Sequence, residues 1–119
     1  MHIFDTINDL ESYLAVVPNL DKLIDILDRS LPYEMTNGSD MTSGIKYKVE
    51  TYNAKEKGFF IPNENCVLIL TLDGRQMVTT EEGVFVLNEG SFLILDASYS
   101  KGIAIGNEET VRDCVFTLD

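Results

Sequence analysis

Apolar residues recur at helical spacing in the first thirty positions. Thr6 and Asp9 resemble a weak capping box, and a first short helix is predicted by the apolar residues that follow: Ile7, Leu10, Leu14 and Val17. Pro18-Asn19 interrupts this pattern. A second amphipathic helix ending near Ser30 is predicted by Leu20, Leu23, Ile24 and Leu27. The pattern thus predicts two short N-terminal α-helices at about 6–30.

From residue 31 onward the spacing changes to the alternation typical of strands. Asn37-Gly38-Ser39-Asp40 has the composition of a turn, and a half-exposed strand follows, in which Ile45, Tyr47, Val49 and Thr51 alternate with Lys46, Lys48, Glu50 and Tyr52. Further strands are predicted at 66–72, 75–79, 84–87, 91–96, 102–105 and 111–118. Short strands joined by glycine-containing turns indicate a β-sandwich or barrel at about 44–118.

The segment Cys66–Leu70 is apolar at every position. A strand that is apolar on both faces is typical of the centre of a sheet, with one face under a second sheet and the other under helices. We therefore predict that Leu68 and Leu70 lie in the middle of the core.

Length and charge narrow the function classes. A chain of 119 residues without repeats or linkers suits one domain, 1–119, and its net charge of −11 disfavours nucleic acid and anionic lipid as partners. No apolar run is long enough to span a bilayer, and the first residues lack the pattern of a signal peptide. We expect a cytoplasmic protein that binds neither nucleic acid nor membrane.

The residues needed for metal or nucleophilic chemistry are scarce. His2 is the only histidine, so a zinc or iron site and a histidine-dependent nucleophile are disfavoured, and we expect no cofactor, no metal and no catalytic residue of these kinds. Cys66 and Cys114 each lie in an apolar run, which favours two buried free thiols; a disulfide between neighbouring strands is the open alternative.

A set of polar and aromatic residues remains as the candidate ligand site: Tyr47, Tyr52, Glu64, Asp96, Tyr99 and Lys101. Aromatic rings and hydrogen-bonding groups at the mouth of a small barrel suit a sugar-like ligand. A carboxylate and a lysine can also move protons without a metal. We predict ligand binding by Tyr47, Glu64, Asp96, Tyr99 and Lys101.

The order of these features resembles the YhcH/YjgK/YiaL family, which includes the β-subunit of evolved β-galactosidase. The resemblance is carried by Ile3-Phe4-Asp5-Thr6 with Pro18-Asn19-Leu20-Asp21-Lys22, by Ile45 to Tyr52 with Lys55, by Leu70-x-Leu72-Asp73-Gly74, and by Glu89-Gly90-Ser91-Phe92 with the strand Val111 to Leu118. It implies a mainly β, cupin-like double-stranded β-helix, or jelly-roll barrel, in a bacterial protein linked to sugar handling.

This sequence departs from the family where its metal and catalytic ligands are expected. A histidine- and acid-containing stretch precedes the glycine turn in the family, but here Phe60 to Ile69 contains no histidine, and a later histidine is missing from Asp96 to Lys101. The resemblance therefore implies a divergent member without the metal-ligand motif.

Three functions stay open at this point. The first is a non-catalytic, metal-free binding or assembly domain for a carbohydrate-related ligand. The second is a metal-free sugar anomerase or epimerase with Glu64, Asp96 or Lys101 as acid and base, and the third is a structural subunit of a sugar-processing enzyme. Phe59-Phe60 in a strand-edge region also suggests a homodimer.

Overall fold

A computed structural model of the protein describes residues 2–53, 58–61, 65–80, 83–95, 102–106 and 110–119. Ten strands lie in these ranges: β1 His2–Thr6, β2 Gly38–Thr42, β3 Ile45–Asn53, β4 Gly58–Ile61, β5 Val67–Asp73, β6 Arg75–Thr80, β7 Gly83–Asn88, β8 Ser91–Leu95, β9 Gly102–Gly106 and β10 Thr110–Thr117. The helical elements are a 3-10 helix at Ile7–Tyr13, α1 at Leu20–Asp28 and α2 at Leu31–Glu34. None of the described helices is long and apolar enough to cross a membrane.

The strands form two antiparallel sheets. The large sheet has the order β1-β8-β5-β10-β3-β2, and the small sheet has the order β4-β9-β6-β7. The chain passes from the large to the small sheet through the tight β5–β6 turn at Gly74, whose φ is +82°. Since β5 lies between β8 and β10, the prediction of a central strand at Cys66–Leu70 is confirmed.

Two apolar clusters cover the two faces of β5. The helix-side core joins Leu68 and Leu70 to the inward residues of α1, namely Leu20, Leu23 and Ile26. The inter-sheet core joins Val67 and Ile69 to residues of β6, β7 and β8, namely Val78, Leu87, Leu93 and Leu95. The molecule therefore has three layers, helices on the large sheet and the small sheet on its other face, as the two-faced pattern predicts.

The prediction for the N-terminal region was partly wrong. Ile7–Tyr13 forms a 3-10 helix instead of an α-helix, and the Thr6 side chain makes no capping hydrogen bond. Residues 2–6, for which no strand is predicted from the sequence, pair with β8 as β1. Their pairing partner lies more than eighty residues away, so local spacing gave no sign of it.

The turn predicted at Asn37 to Asp40 is also corrected, because Gly38–Thr42 pairs with β3 as β2. The hairpin turn lies further on, at Ser43-Gly44, where both residues have positive φ. This is the geometry of a type I′ turn, which matches the twist of the flanking strands. Cys66 and Cys114 are both buried and are not joined in a disulfide, as predicted.

Candidate functional site

The two faces of β3 have opposite characters. Its odd positions Ile45, Tyr47 and Val49 lie in the helix-side core, whereas Lys48, Glu50 and Tyr52 lie on the face toward the small sheet. Tyr52 makes the connection across the sandwich, because its hydroxyl donates a hydrogen bond to Oε1 of Gln76 on β6. The polar face of β3 therefore leads into the space between the sheets.

A chain of buried hydrogen bonds continues from Gln76. Its Nε2 donates to Oγ1 of Thr71 on β5 over 3.0 Å, and that hydroxyl donates to the carbonyl of Leu87 over 3.3 Å. Gln76 is fully buried, with 0% of its surface exposed. Polar groups held in this way inside a low-dielectric interior fix one another's orientation.

Asp113 lies next to this chain, on β10 in the centre of the large sheet. Asp113 is only 1% exposed, and its register partners are Glu50 on β3 and Thr71 on β5. We call Glu50, Tyr52, Thr71, Gln76 and Asp113 the inter-sheet polar site. Two carboxyls, a phenol, an amide and a hydroxyl thus lie around one region between the sheets.

A bulge gives the inter-sheet polar site its shape. The register between β10 and β5 shifts between Arg112 and Asp113, so that Arg112 pairs with Asp73 but Asp113 pairs with Thr71. Bulges bend a strand and redirect its side chains, and they are frequent beside functional sites. Here the shift sets Asp113 opposite a polar residue on both neighbouring strands.

Electrostatics tie Tyr52 to the carboxyls of this site. Burial, together with the nearby charges of Asp113 and Glu50, raises the pKa of Tyr52 far above its ordinary value. The phenol is therefore neutral at physiological pH and is kept as a hydrogen-bond donor. It can hold a ligand or orient Gln76, but it cannot act as a base there.

The rim of the site is open to solvent. Lys48 and Glu50 form an ion pair of 2.7 Å, and the hydrogen bond to Glu50 raises the pKa of Lys48. Both residues line a shallow depression of about 370 Å³ together with Asn37, Gly38, Val49 and Thr51. Glu50 belongs to this depression and is also the register partner of Asp113, so it connects the surface with the interior.

The sequence-predicted site residues fall into two groups. Tyr47 is 3% exposed, shares a 2.9 Å hydrogen bond with Thr42 and lies 5.5 Å from the Phe116 ring, so it lies in the helix-side core. Glu64, Asp96, Tyr99 and Lys101 lie outside the described residues. The ligand role of all five stays a prediction.

Sequence reasoning missed four residues of the site: Glu50, Thr71, Gln76 and Asp113. The signal for Asp113 was a single acid inside the apolar segment Val111–Leu118, where a charge is costly unless it has a role. The signal for Thr71 and Gln76 was weaker, since they become neighbours only through the packing of the small sheet on the large sheet after the β5–β6 turn.

The described residues contain no group of three or more histidine, cysteine or acidic residues arranged to hold a metal. Burial, reinforced by the charge of Asp113, raises the pKa of the Cys114 thiol well above its ordinary value, so this thiol is protonated at neutral pH. A protonated, buried thiol is a poor nucleophile.

Comparison with known proteins identifies the type of fold. No protein-family model matches the sequence, and no curated protein matches it significantly. Solved structures do match, with identities of 9–13% in three of them. Protein NMB1881 from Neisseria meningitidis is 11% identical, with 93% of this chain and 97% of that one covered and a TM-score of 0.56.

Two further matches identify the type of fold. A cupin-2 domain containing protein from Shewanella frigidimarina is 9% identical over 83% of this chain and 97% of that one, with a TM-score of 0.56. The EutQ protein of Clostridium difficile is 13% identical over 69% of this chain, with a TM-score of 0.54, and this chain spans 65% of its length. The chain has a cupin-like fold.

Proposed function

We propose that this chain is a non-catalytic, metal-free binding domain for a small polar ligand rich in hydroxyl groups, in the class of carbohydrates and their derivatives. The observation that carries the proposal is the inter-sheet polar site, in which Tyr52, Gln76 and Thr71 form a hydrogen-bonded chain beside the buried Asp113. A few converging polar groups in an apolar surround are typical of ligand sites.

The chemistry of the inter-sheet polar site suits hydroxyl groups. Carboxylates and the phenol oxygen of Tyr52 accept hydrogen bonds from a hydroxyl, whereas the second hydrogen of the Gln76 amide nitrogen and the lysine of the rim donate to it. Lys48 and Glu50 border a depression of about 370 Å³, a volume in the range of small-molecule sites. Glu50 is the residue of the inter-sheet polar site that lines this depression, and Asp113 is paired with it on the neighbouring strand β10.

The sequence-based predictions of family, cellular location, further site residues and oligomeric state are also proposals. Membership of the YhcH/YjgK/YiaL family is supported by the cupin-like fold and by the residues that carry the resemblance. Two buried cysteines that form no disulfide support the proposed bacterial cytoplasm, where thiols stay reduced. Glu64, Asp96, Tyr99 and Lys101 are proposed as further wall residues, and a homodimer is proposed because Phe59-Phe60 lies on β4, an outer strand of the small sheet.

One observation favours the second candidate, a metal-free sugar anomerase or epimerase. Glu50 and Asp113 are directly opposite each other on β3 and β10. Directly paired residues have Cβ atoms about 5 Å apart, close enough for two carboxyls to serve one ligand as acid and base. The binding proposal is the simpler of the two, because it requires only that a ligand is held and not that its bonds are rearranged.

A thermal-shift screen against monosaccharides, sugar acids and polyols tests the proposal. A ligand that binds only the folded state stabilises it by about 2.7 kcal/mol at about 100 times its Kd, so a hit raises the melting temperature. Asp113→Asn and Tyr52→Phe should weaken binding of that hit in calorimetry, and Tyr33→Phe, at a tyrosine exposed on α2, is the matched control.

Two results would overturn the proposal. One is a panel without a stabilising compound; the other is a hit that binds the wild type, Asp113→Asn and Tyr52→Phe equally. Glu50→Gln, at the partly exposed rim, covers the case in which the buried variants fail to fold. Exchange NMR of the hit separates the two candidates, since only an anomerase accelerates interconversion of its anomers.

A further inference from the structure

The outer strand β7 combines exposure with an apolar sequence. Val84 is 60% exposed and Val86 is 41% exposed, and both lie on the face away from the inter-sheet core. The alternate residues hold the strand in place, because Leu87 lies in that core and the Phe85 ring lies 5.6 Å from the Phe4 ring. Among the described residues, β6 is the only strand paired with β7.

Although the chain has a net charge of −11, β7 is uncharged, as is β4, the other outer strand of the small sheet. Gly83–Asn88 contains no charged residue and no proline, the usual devices that protect an edge strand from pairing. The outer strands of the large sheet do carry charges, Asp5 in β1 and Asp40 in β2. Two copies of so acidic a chain repel each other least where their facing segments are neutral.

We infer that β7 pairs with β7 of a second copy of this chain, antiparallel and centred on Phe85, to form a closed homodimer. This inference rests on the proposed homodimer and locates its interface on β7, with six residues, instead of on β4, with four. A two-fold axis perpendicular to the sheet keeps the outer faces of the two small sheets on one side.

The register explains why the partner is a second copy. With Phe85 opposite its equivalent, Val84 of each copy lies opposite Val86 of the other, and the two exposed valines form two apolar cross-strand pairs. The segment is thus complementary to itself. Each copy uses its single β7 edge once, so the contact is isologous and stops at two copies.

Sedimentation and light scattering over a wide concentration range test this inference. The wild type should be a dimer at high concentration. Val84→Glu with Val86→Glu places acids opposite acids and should raise the dimer Kd by about tenfold or more. Val84→Glu with Val86→Lys places opposite charges in both cross-strand pairs and should restore the dimer, and Met41→Glu, at an exposed methionine of β2, should leave it unchanged.

The outcomes separate this inference from the proposed homodimer. A wild type that is monomeric throughout contradicts both. A double-glutamate variant that still dimerises while Phe60→Glu does not would move the interface to β4 and overturn only the β7 assignment. If the variants misfold, hydrogen exchange on the wild type tests the inference instead, because the β7 amides must gain protection as the protein concentration rises. Sugar binding at the inter-sheet polar site is unaffected by any of these results.

Discussion

Gly74 shows how closely two strands can approach when a side chain is missing. It has φ +82° in the β5–β6 turn, and a Cβ placed on it would lie 2.5 Å from the carbonyl oxygen of Thr110 at the start of β10. No side chain fits there without moving backbone. The position therefore requires glycine for its conformation and for its contact.

Gly74→Ala should lower the free energy of unfolding by about 3 kcal/mol, since a left-handed conformation and a backbone clash both oppose alanine. Gly44→Ala is the matched control. Gly44 also has φ +82° but no atom near its missing Cβ, so only the conformational cost of about 1–2 kcal/mol applies. Denaturant titration gives both values, and equal losses would show that the contact with Thr110 does not matter.

The side of a strand on which a residue falls decides its role in this site. Tyr47 and Tyr52 share β3, but they are five positions apart, an odd offset, so they point to opposite faces. The alternation in the sequence already placed Tyr47 with Ile45 and Val49, and Tyr52 with Lys48 and Glu50. The face of each tyrosine was thus predictable, whereas the contact of Tyr52 with Gln76 depends on how the two sheets pack.

At the scale of elements, β5 is the part of the fold that the sequence predicted best. A run apolar at every position has no exposed face, and the structure buries Leu68 and Leu70 completely between β8 and β10. The strand β1 was missed because its partner β8 lies far along the chain, and β2 was missed because Asn37 to Asp40 has the composition of a turn. The local pattern of apolar residues indicates which positions are buried, but it does not indicate which strands pair with each other.

Leu68→Ala and Leu70→Ala should each lower the free energy of unfolding by about 2–5 kcal/mol, through lost transfer energy and the cavity left in the helix-side core. Val16→Ala, at an exposed position in the turn after the 3-10 helix, should cost less than about 0.5 kcal/mol. Denaturant titration measures all three. A loss below about 1 kcal/mol at both leucines would place β5 outside the core.

Arg112 fastens α2 to the large sheet. Its guanidinium donates to the carbonyls of Pro32 and Tyr33 at 3.2 and 3.3 Å, and also to that of Met35. These carbonyls lie in or just after the short helix α2, where no later turn of helix satisfies them. A four-residue helix needs this support because it is too short to be stable alone.

Arg112→Ala should lower the free energy of unfolding by about 1–3 kcal/mol, since it removes charge-assisted hydrogen bonds and leaves acceptors unsatisfied. Arg29→Ala, which removes an exposed ion pair with Asp25, should cost less than about 0.5 kcal/mol. Faster hydrogen exchange in α2 should accompany the Arg112 change. Similar stability losses in the two variants would contradict the supporting role of Arg112.

At the scale of the whole molecule, the cupin-like sandwich places a polar site in its interior without the histidines that metal sites require. The single histidine, His2, belongs to β1 at the edge of the large sheet. The inter-sheet polar site itself supplies two carboxyls, and hard cations are held weakly by so few ligands. The proposed ligand is therefore recognised by hydrogen bonds.

Protein purified without an affinity tag should contain no stoichiometric transition metal after dialysis, because one histidine and two buried thiols cannot assemble a tight ligand set. Elemental analysis by mass spectrometry measures this directly. Zinc, iron or nickel retained at one equivalent would refute the prediction.

The central claim is that a polar ligand is bound at the inter-sheet polar site, and the side-chain amide of Gln76 reports on that site most directly. Gln76 is buried and bonded to Tyr52 and Thr71, so its two amide protons should give distinct NMR signals, assigned by their loss in Gln76→Glu. Titration with the compound that raises the melting temperature should shift these signals and the backbone amides of Glu50 and Asp113 together. Saturation of binding with the Gln76 and Asp113 signals unmoved would contradict the account.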